Sequence, residues 1–413
     1  MTIQYIGRAA PFALDPAVAL LGNEREGLAI DFTRDRAYNR DRVTAANNYL
    51  GGAASKFSVS RASDGSRYDA ARVLRTDGPN VLRLTHDPIT GKALGALLEG
   101  ASTNRLTMSD DYRSNWSPGG AGVTITPDAA MAPDGTMTAQ LVELLGPDGR
   151  VSQPYTGAAS TLHTGTLFLR ALPGEAGTWP ARLNGEGSGA TTDNKLVAIN
   201  DQAWTRVSLN AVSGAGGIIR LFVGDRRDGG ALTKAYVWRA QIEAASFASS
   251  PIKTVAAAAQ RLADNLSFAR SGTPEGTVVI EARTAPGKVA SGSQGLFYWE
   301  DGTVNNRIIL ARLPAGAMFM QMNVDGSAPK VTVLDTANLP DNTDFKAAMS
   351  WELGRFSLSV NGAPARVSTS YAGPLPLINS IRIGTSGLWG GTVARVRLTP
   401  RATDPSELPG LLS

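Results

Sequence analysis

The sequence predicts an all-β chain built mainly of two antiparallel β-sandwiches in tandem. Three observations carry this. Apolar and polar residues alternate with a period of two through most segments beyond about residue 105. Turn-forming pairs such as Asp64-Gly65, Asp148-Gly149 and Asn361-Gly362 punctuate them. At 413 residues, with 42% apolar and 18% charged side chains, the chain exceeds one ordinary core and lacks the composition of a disordered one.

Taken in order, residues 1–27 read as an anchoring arm, with Asp15-Pro16 capping a short helix over Ala17 to Leu21. Residues 28–104 read as a collar of short extended pieces and turns that cannot bury much alone. Within it, Leu28 to Phe32, Lys56 to Ser60 and Arg72 to Arg75 are extended. Residues 105–266 carry the first sandwich, with strands over Thr166 to Arg170, Thr205 to Asn210, Ile218 to Val223 and Tyr236 to Glu243. A short Ala-rich helix is possible over Val255 to Leu262. A seam from Arg261 to Glu281 leads into the second sandwich, residues 267–413. There Met318, Met320, Met322 and Val324 share one face of a strand, and Phe319, Gln321 and Asn323 share the other. Asn361-Gly362 suits a two-residue turn with positive backbone angles.

The charge balance excludes several function classes. Forty basic residues against 36 acidic ones leave +4, spread along strands, so no basic patch for nucleic acid is expected. Cys is absent and His is limited to His86 and His163, which removes thiolate chemistry and tight zinc coordination. No segment reaches membrane-spanning length, and the N-terminus lacks the basic start and apolar run of a secretory signal, so synthesis in a cytoplasm is expected.

An ordered series of short motifs runs along residues 28 to 268: Phe57 to Tyr68, Val73 to Thr76, Leu84-Thr-His-Asp-Pro88, Gly95 to Asn104, Met108 to Tyr112 with Trp116, Ala132-Pro-Asp-Gly-Thr136, and Tyr236 to Glu243 followed by Ser250 to Lys253. The series resembles the collar region of bacteriophage tail-fibre and head-spike proteins, and the Arg- and Ala-rich usage is similar to head spikes of gene transfer agents. Two departures are Leu84-Thr85 in place of an aromatic-acidic pair, and an insertion-like stretch from Thr33 to Ala54. The first sandwich is similar to jelly-roll carbohydrate-binding modules. Trp351 to Gly362, Ile381 to Gly384 and Gly390 to Leu398 resemble the laminin G-like or concanavalin-like sandwich.

These resemblances imply a structural subunit on the surface of a virion or phage-like particle. It would bind bacterial capsule or lipopolysaccharide, with the arm joining other particle proteins and several copies displayed as a homo-oligomer or array. A polysaccharide hydrolase or lyase is the alternative, because two carboxylates suffice for glycosidase chemistry. Neither His lies near a Gly-x-Ser-x-Gly elbow and no repeated rungs appear, so a non-enzymatic role leads.

Sugar recognition needs flat aromatic faces beside carboxylates, amides or Arg. Loop aromatics are therefore the candidates: Trp389 among glycines, Tyr371 in a Ser/Gly/Pro loop, Trp179 near Glu175 in a Gly/Pro-rich loop, and Tyr155 after Gln153-Pro154. For Trp389 and Tyr371, burial is the competing reading. Trp204, Trp238, Trp299 and Trp351 are assigned to the interior. Asp225-Arg-Arg-Asp228 reads as a self-neutralising turn, with contact to an anionic polysaccharide as the alternative. No cofactor is expected: Asp301, Asp325 and Asp341 could donate oxygen to calcium, but their spacing matches no loop motif and they read as surface turn residues.

Overall fold

The computed structural model describes residues 27–40, 49–53, 56–287, 292–384 and 389–413, and strand counts below refer to these. They contain no α-helix, and none of their helices is long and apolar enough to cross a membrane. The expected helix over Ala17 to Leu21 lies outside the described residues, as does the stretch 386–388 before Trp389.

Residues 117–243 form a sandwich of two five-stranded antiparallel sheets. One runs Ser117–Gly119, Arg150–Thr156, Ile218–Asp225, Ala176–Glu186, Thr192–Asn200; the other runs Val123–Ala130, Ala139–Leu144, Lys234–Glu243, Leu162–Arg170, Thr205–Val212. Counting eight strands in chain order from Ala139–Leu144 to Lys234–Glu243, the second sheet holds the first, eighth, third and sixth, and its partner the second, seventh, fourth and fifth. That interleaving is a jelly roll. Period-two alternation drives it: Ile219, Leu221 and Val223 enter the core, while Ile218, Arg220 and Phe222 face outward.

The second sandwich draws on both ends of the chain. Its larger sheet runs Arg366–Ser368, Arg355–Val360, Asp344–Glu352, Gly276–Arg283, Gly391–Thr399, Gly27–Asp31, Arg36–Arg40, Tyr49–Gly51, with Ala93–Leu98 and Leu84–His86 added beside Gly391–Thr399. The facing seven-stranded sheet runs Pro329–Asn338, Ala317–Asn323, Arg307–Arg312, Gln294–Glu300, Ser380–Ile383, Asn265–Ala269, Ser58–Ser60. This concanavalin-like sandwich therefore absorbs much of the stretch 28–104, which forms no separate collar unit. The reason is burial: every residue of Gly27–Asp31 is covered, and both edges of the strand are paired, by Arg36–Arg40 and by Gly391–Thr399. Such a strand is stable only inside a sheet.

Met318, Met320, Met322 and Val324 lie in the main core, and Phe319 packs on the opposite face. Asn361 and Gly362 both have positive φ, 51° and 75°, and the Ala363 amide closes the turn on Val360 O at 3.0 Å. No helix forms over Val255 to Leu262; Ala259–Arg261 pairs as a strand with Ser102–Asn104.

The seam is locked by buried charge. Arg61 Nη1 donates to Asp264 Oδ1 at 2.8 Å, Arg83 donates to Glu99 Oε2 at 2.7 Å and to Asp264, and Arg261 Nε lies 3.6 Å from Glu99. Burial works to raise the Glu99 pKa, but Arg261 and Arg83, with the Ser250 hydroxyl, reverse this and hold it at about 2.

Candidate functional site

The loop aromatics chosen from sequence do not form a sugar platform. Trp179 lies within Ala176–Glu186 with its ring in the jelly-roll core, fully covered, and its Nε1 donates to Val223 O at 2.7 Å. Gly224 makes room for it, since a Cβ there would sit 2.6 Å from the ring. Gly177 and Pro180 belong to a long strand rather than a loop. Glu175 is exposed on the preceding turn, on which Trp179 does not open.

Trp389 is 1% exposed and packs on Phe345 at 5.9 Å, so the glycines around it do not leave it uncovered. Tyr155 is half-buried; it shares the inward register of Ile219 and contacts the His163 ring at 6.1 Å, with Arg105 5.7 Å from its own ring. Tyr371 is half-buried against the larger core and donates to Pro374 O at 2.9 Å. Trp238, Trp299 and Trp351 are interior as expected. Trp204 is not: it precedes the strand Thr205–Val212, half-buried, with Arg170 4.8 Å above it.

The calcium candidates serve separate local roles. Asp301 accepts from Thr303 and Asn306, Asp341 accepts from Arg312 at 2.7 Å, and Asp325 occupies a positive-φ turn position. Among the described residues no group of three or more His, Asp or Glu is arranged to hold a metal ion.

What the fold does assemble is an arginine-rich outer face on the jelly roll. Arg182 lies directly across from Phe222 in the register, and its guanidinium carbon is 4.1 Å from the ring centroid; that of Arg227 is 5.8 Å away. Arg150, Arg220 and Arg227 line a shallow cavity of about 300 Å³, with Ser117, Ser152 and Phe222. Asp225, fully buried, accepts from Arg182 and Arg227, and Arg182 reaches Asp228 at 3.2 Å. Burial opposes ionisation of Asp225, but Arg227 and Arg182 outweigh it and its pKa is lowered. The self-neutralising turn is thus real, and it is extended by an arginine from a neighbouring strand.

Arg220 pairs with Glu186 at 2.6 Å. Arg150 donates to a carbonyl, Asp148 O at 3.2 Å, and to no carboxylate. Three of the four guanidinium groups pair with Asp225, Asp228 or Glu186, and Arg150 pairs with no carboxylate. Phe222 is covered by Arg182 and Arg227, so the groups open to a ligand are the guanidiniums, which suit carboxylates and hydroxyls. Arg227 belongs to the Asp225-Arg-Arg-Asp228 turn singled out from sequence; Arg150, Arg182 and Arg220 were passed over because each read singly as a solvated strand position. The available signal was the Arg220-x-Phe222 alternation beside Arg150-x-Ser152.

No family model matches the chain, and no curated protein does. Among solved structures, the chain is similar to the carbohydrate-binding module CBM40 of the Ruminococcus gnavus IT-sialidase bound to α2,3-sialyllactose, at 17% identity over 34% of this chain and 84% of that one, with a TM-score of 0.28. A heptameric SAP-like pentraxin from Limulus polyphemus is similar at 11% identity over 36% and 75%, TM-score 0.28. The binding domain of botulinum neurotoxin DC in complex with SialylT is similar at 7% identity over 36% and 39%, TM-score 0.31. At these TM-scores the likenesses carry no argument, and the two-sandwich assignment stands on strand order and register.

Proposed function

We propose that the chain is a non-catalytic receptor-binding subunit that holds acidic bacterial surface polysaccharide, of capsule or lipopolysaccharide, on the outer face of its jelly roll. The observation that supports this most is the convergence of Arg150, Arg220 and Arg227 with Phe222 at one shallow depression, beside Arg182 on the Phe222 ring. A uronate or similar acidic residue would place its carboxylate on Arg150 and Arg220 and its hydroxyls on the neighbouring carboxylates. The particle role, as a spike or fibre subunit of a phage or phage-derived particle, is supported by the ordered motif series between residues 28 and 268. Single shallow sites of this kind bind near a millimolar, about −4 kcal/mol, and display in several copies raises avidity by about 10² to 10⁴.

Equilibrium binding of the full chain to polygalacturonate, with neutral dextran as control, tests the reading. The acidic polymer is expected to bind and dextran not. Arg150→Ala and Arg220→Ala should each weaken binding about tenfold, the loss of a hydrogen bond to a charged group. Equal binding of both polymers sinks the proposal, and release of reducing ends by the purified protein replaces it with a hydrolase.

A further inference from the structure

A second cavity, of about 330 Å³, lies where the N-terminal strands, the jelly roll and the larger sandwich meet. Four side chains from these three regions line it and hold polar atoms without partners in the chain. The Tyr68 hydroxyl makes no hydrogen bond. His86 Nδ1 lies 3.3 Å from Tyr68 O and donates to it, which leaves Nε2 as an acceptor. Arg206 is fixed through Nη2 on Ser249 O at 2.7 Å and Thr166 Oγ1 at 3.2 Å; its remaining nitrogens are unpaired and no carboxylate neutralises it. Asn342, at φ 52°, uses only its backbone amide, on Ala285 O. Leu74 and Pro251 supply apolar wall.

A concave site of this size with a few convergent polar groups is the usual form of a small-molecule site. We infer that this junction cavity binds a small hydroxylated carboxylate of the uronic-acid class, its carboxylate on Arg206 and its hydroxyls on Tyr68, His86 and Asn342. A cation at a cavity with no carboxylate paired to it selects an anion, while one acceptor nitrogen, one phenol and one carboxamide match hydroxyl groups. The site is separate from the Phe222 face and does not depend on it. A ligand here would touch both sandwiches at once and so favour one arrangement of the two.

The test is isothermal titration of the full chain carrying Arg150→Ala and Arg220→Ala, which removes the surface site, with galacturonate and with galactose, its neutral counterpart. Galacturonate is expected to bind with one site per chain, about tenfold or more tighter than galactose. Adding Arg206→Met should abolish that preference. Tyr68→Phe, and Asn342→Gly, which keeps the left-handed backbone, should each weaken binding about threefold to tenfold and report even if Arg206→Met does not fold. Galacturonate binding no tighter than galactose overturns the inference. So does binding that survives both Tyr68→Phe and Asn342→Gly unchanged. Failure of polygalacturonate binding in the unmodified chain would instead count against the surface reading alone.

Discussion

The outer face of the jelly roll and the groove on the larger sandwich are both rich in charge, yet the register treats the charges differently. The groove, about 710 Å³, is lined by Arg34, Lys92, Arg283, Lys346 and Arg395 with Glu281 and Asp344. Here Glu281 lies directly across from Arg395, and Arg283 across from Asp344, at 2.9 and 2.7 Å. Opposite charges in opposed positions satisfy one another. On the jelly roll, Arg182 faces Phe222 and Arg220 faces Asn184, and Arg150, although opposite Asp225, donates to a carbonyl and to no carboxylate because Asp225 is taken by Arg182 and Arg227. Counting charges would favour the groove; the grouping of guanidinium groups around Phe222 favours the jelly-roll face.

The largest expected effects test whether each sandwich keeps its tryptophan as core. Trp179→Ala and Trp389→Ala should each cost about 3–5 kcal/mol in chemical denaturation, because both rings are buried. Substitution at little cost would return either ring to the surface and revive a sugar-platform reading. Next comes the junction between the regions. The Glu99 pKa is depressed in the fold, so its stabilisation is full above the ordinary range near 4.5 and is lost as pH falls through about 2. Thermal melts between pH 5 and 2 should show a loss on the order of 3 kcal/mol. Glu99→Gln should lower stability at neutral pH and flatten the profile in that window. The smallest effect sharpens the comparison itself: Lys92→Ala in the groove should change polygalacturonate affinity less than about twofold, against about tenfold for Arg220→Ala. Equal sensitivity in the same binding measurement would erase the distinction between the two faces.

Much of the fold was legible because a sheet buries one side of each strand, and alternation records it. The Met318 to Val324 strand and the Asn361-Gly362 turn are read directly from residue type. Trp179 was misread because Gly and Pro, which usually mark loops, here lie within an eleven-residue strand, Ala176–Glu186. Trp389 was misread because glycines flank it in sequence while Phe345, distant in sequence, covers it. The arginine face was invisible for the same reason: Arg150, Arg182 and Arg220 come from three strands, and only pairing sets them side by side.

By itself the sequence determined that the chain folds as β-sandwiches, since period-two burial and turn chemistry are local properties. Tertiary structure decided that Gly27–Asp31 lies beside Gly391–Thr399, so that the jelly roll is inserted between two parts of the larger sandwich. It also decided which charges meet. Both depend on pairing between strands far apart in the chain, and alternation states which side of a strand is buried but not which strand lies next to it.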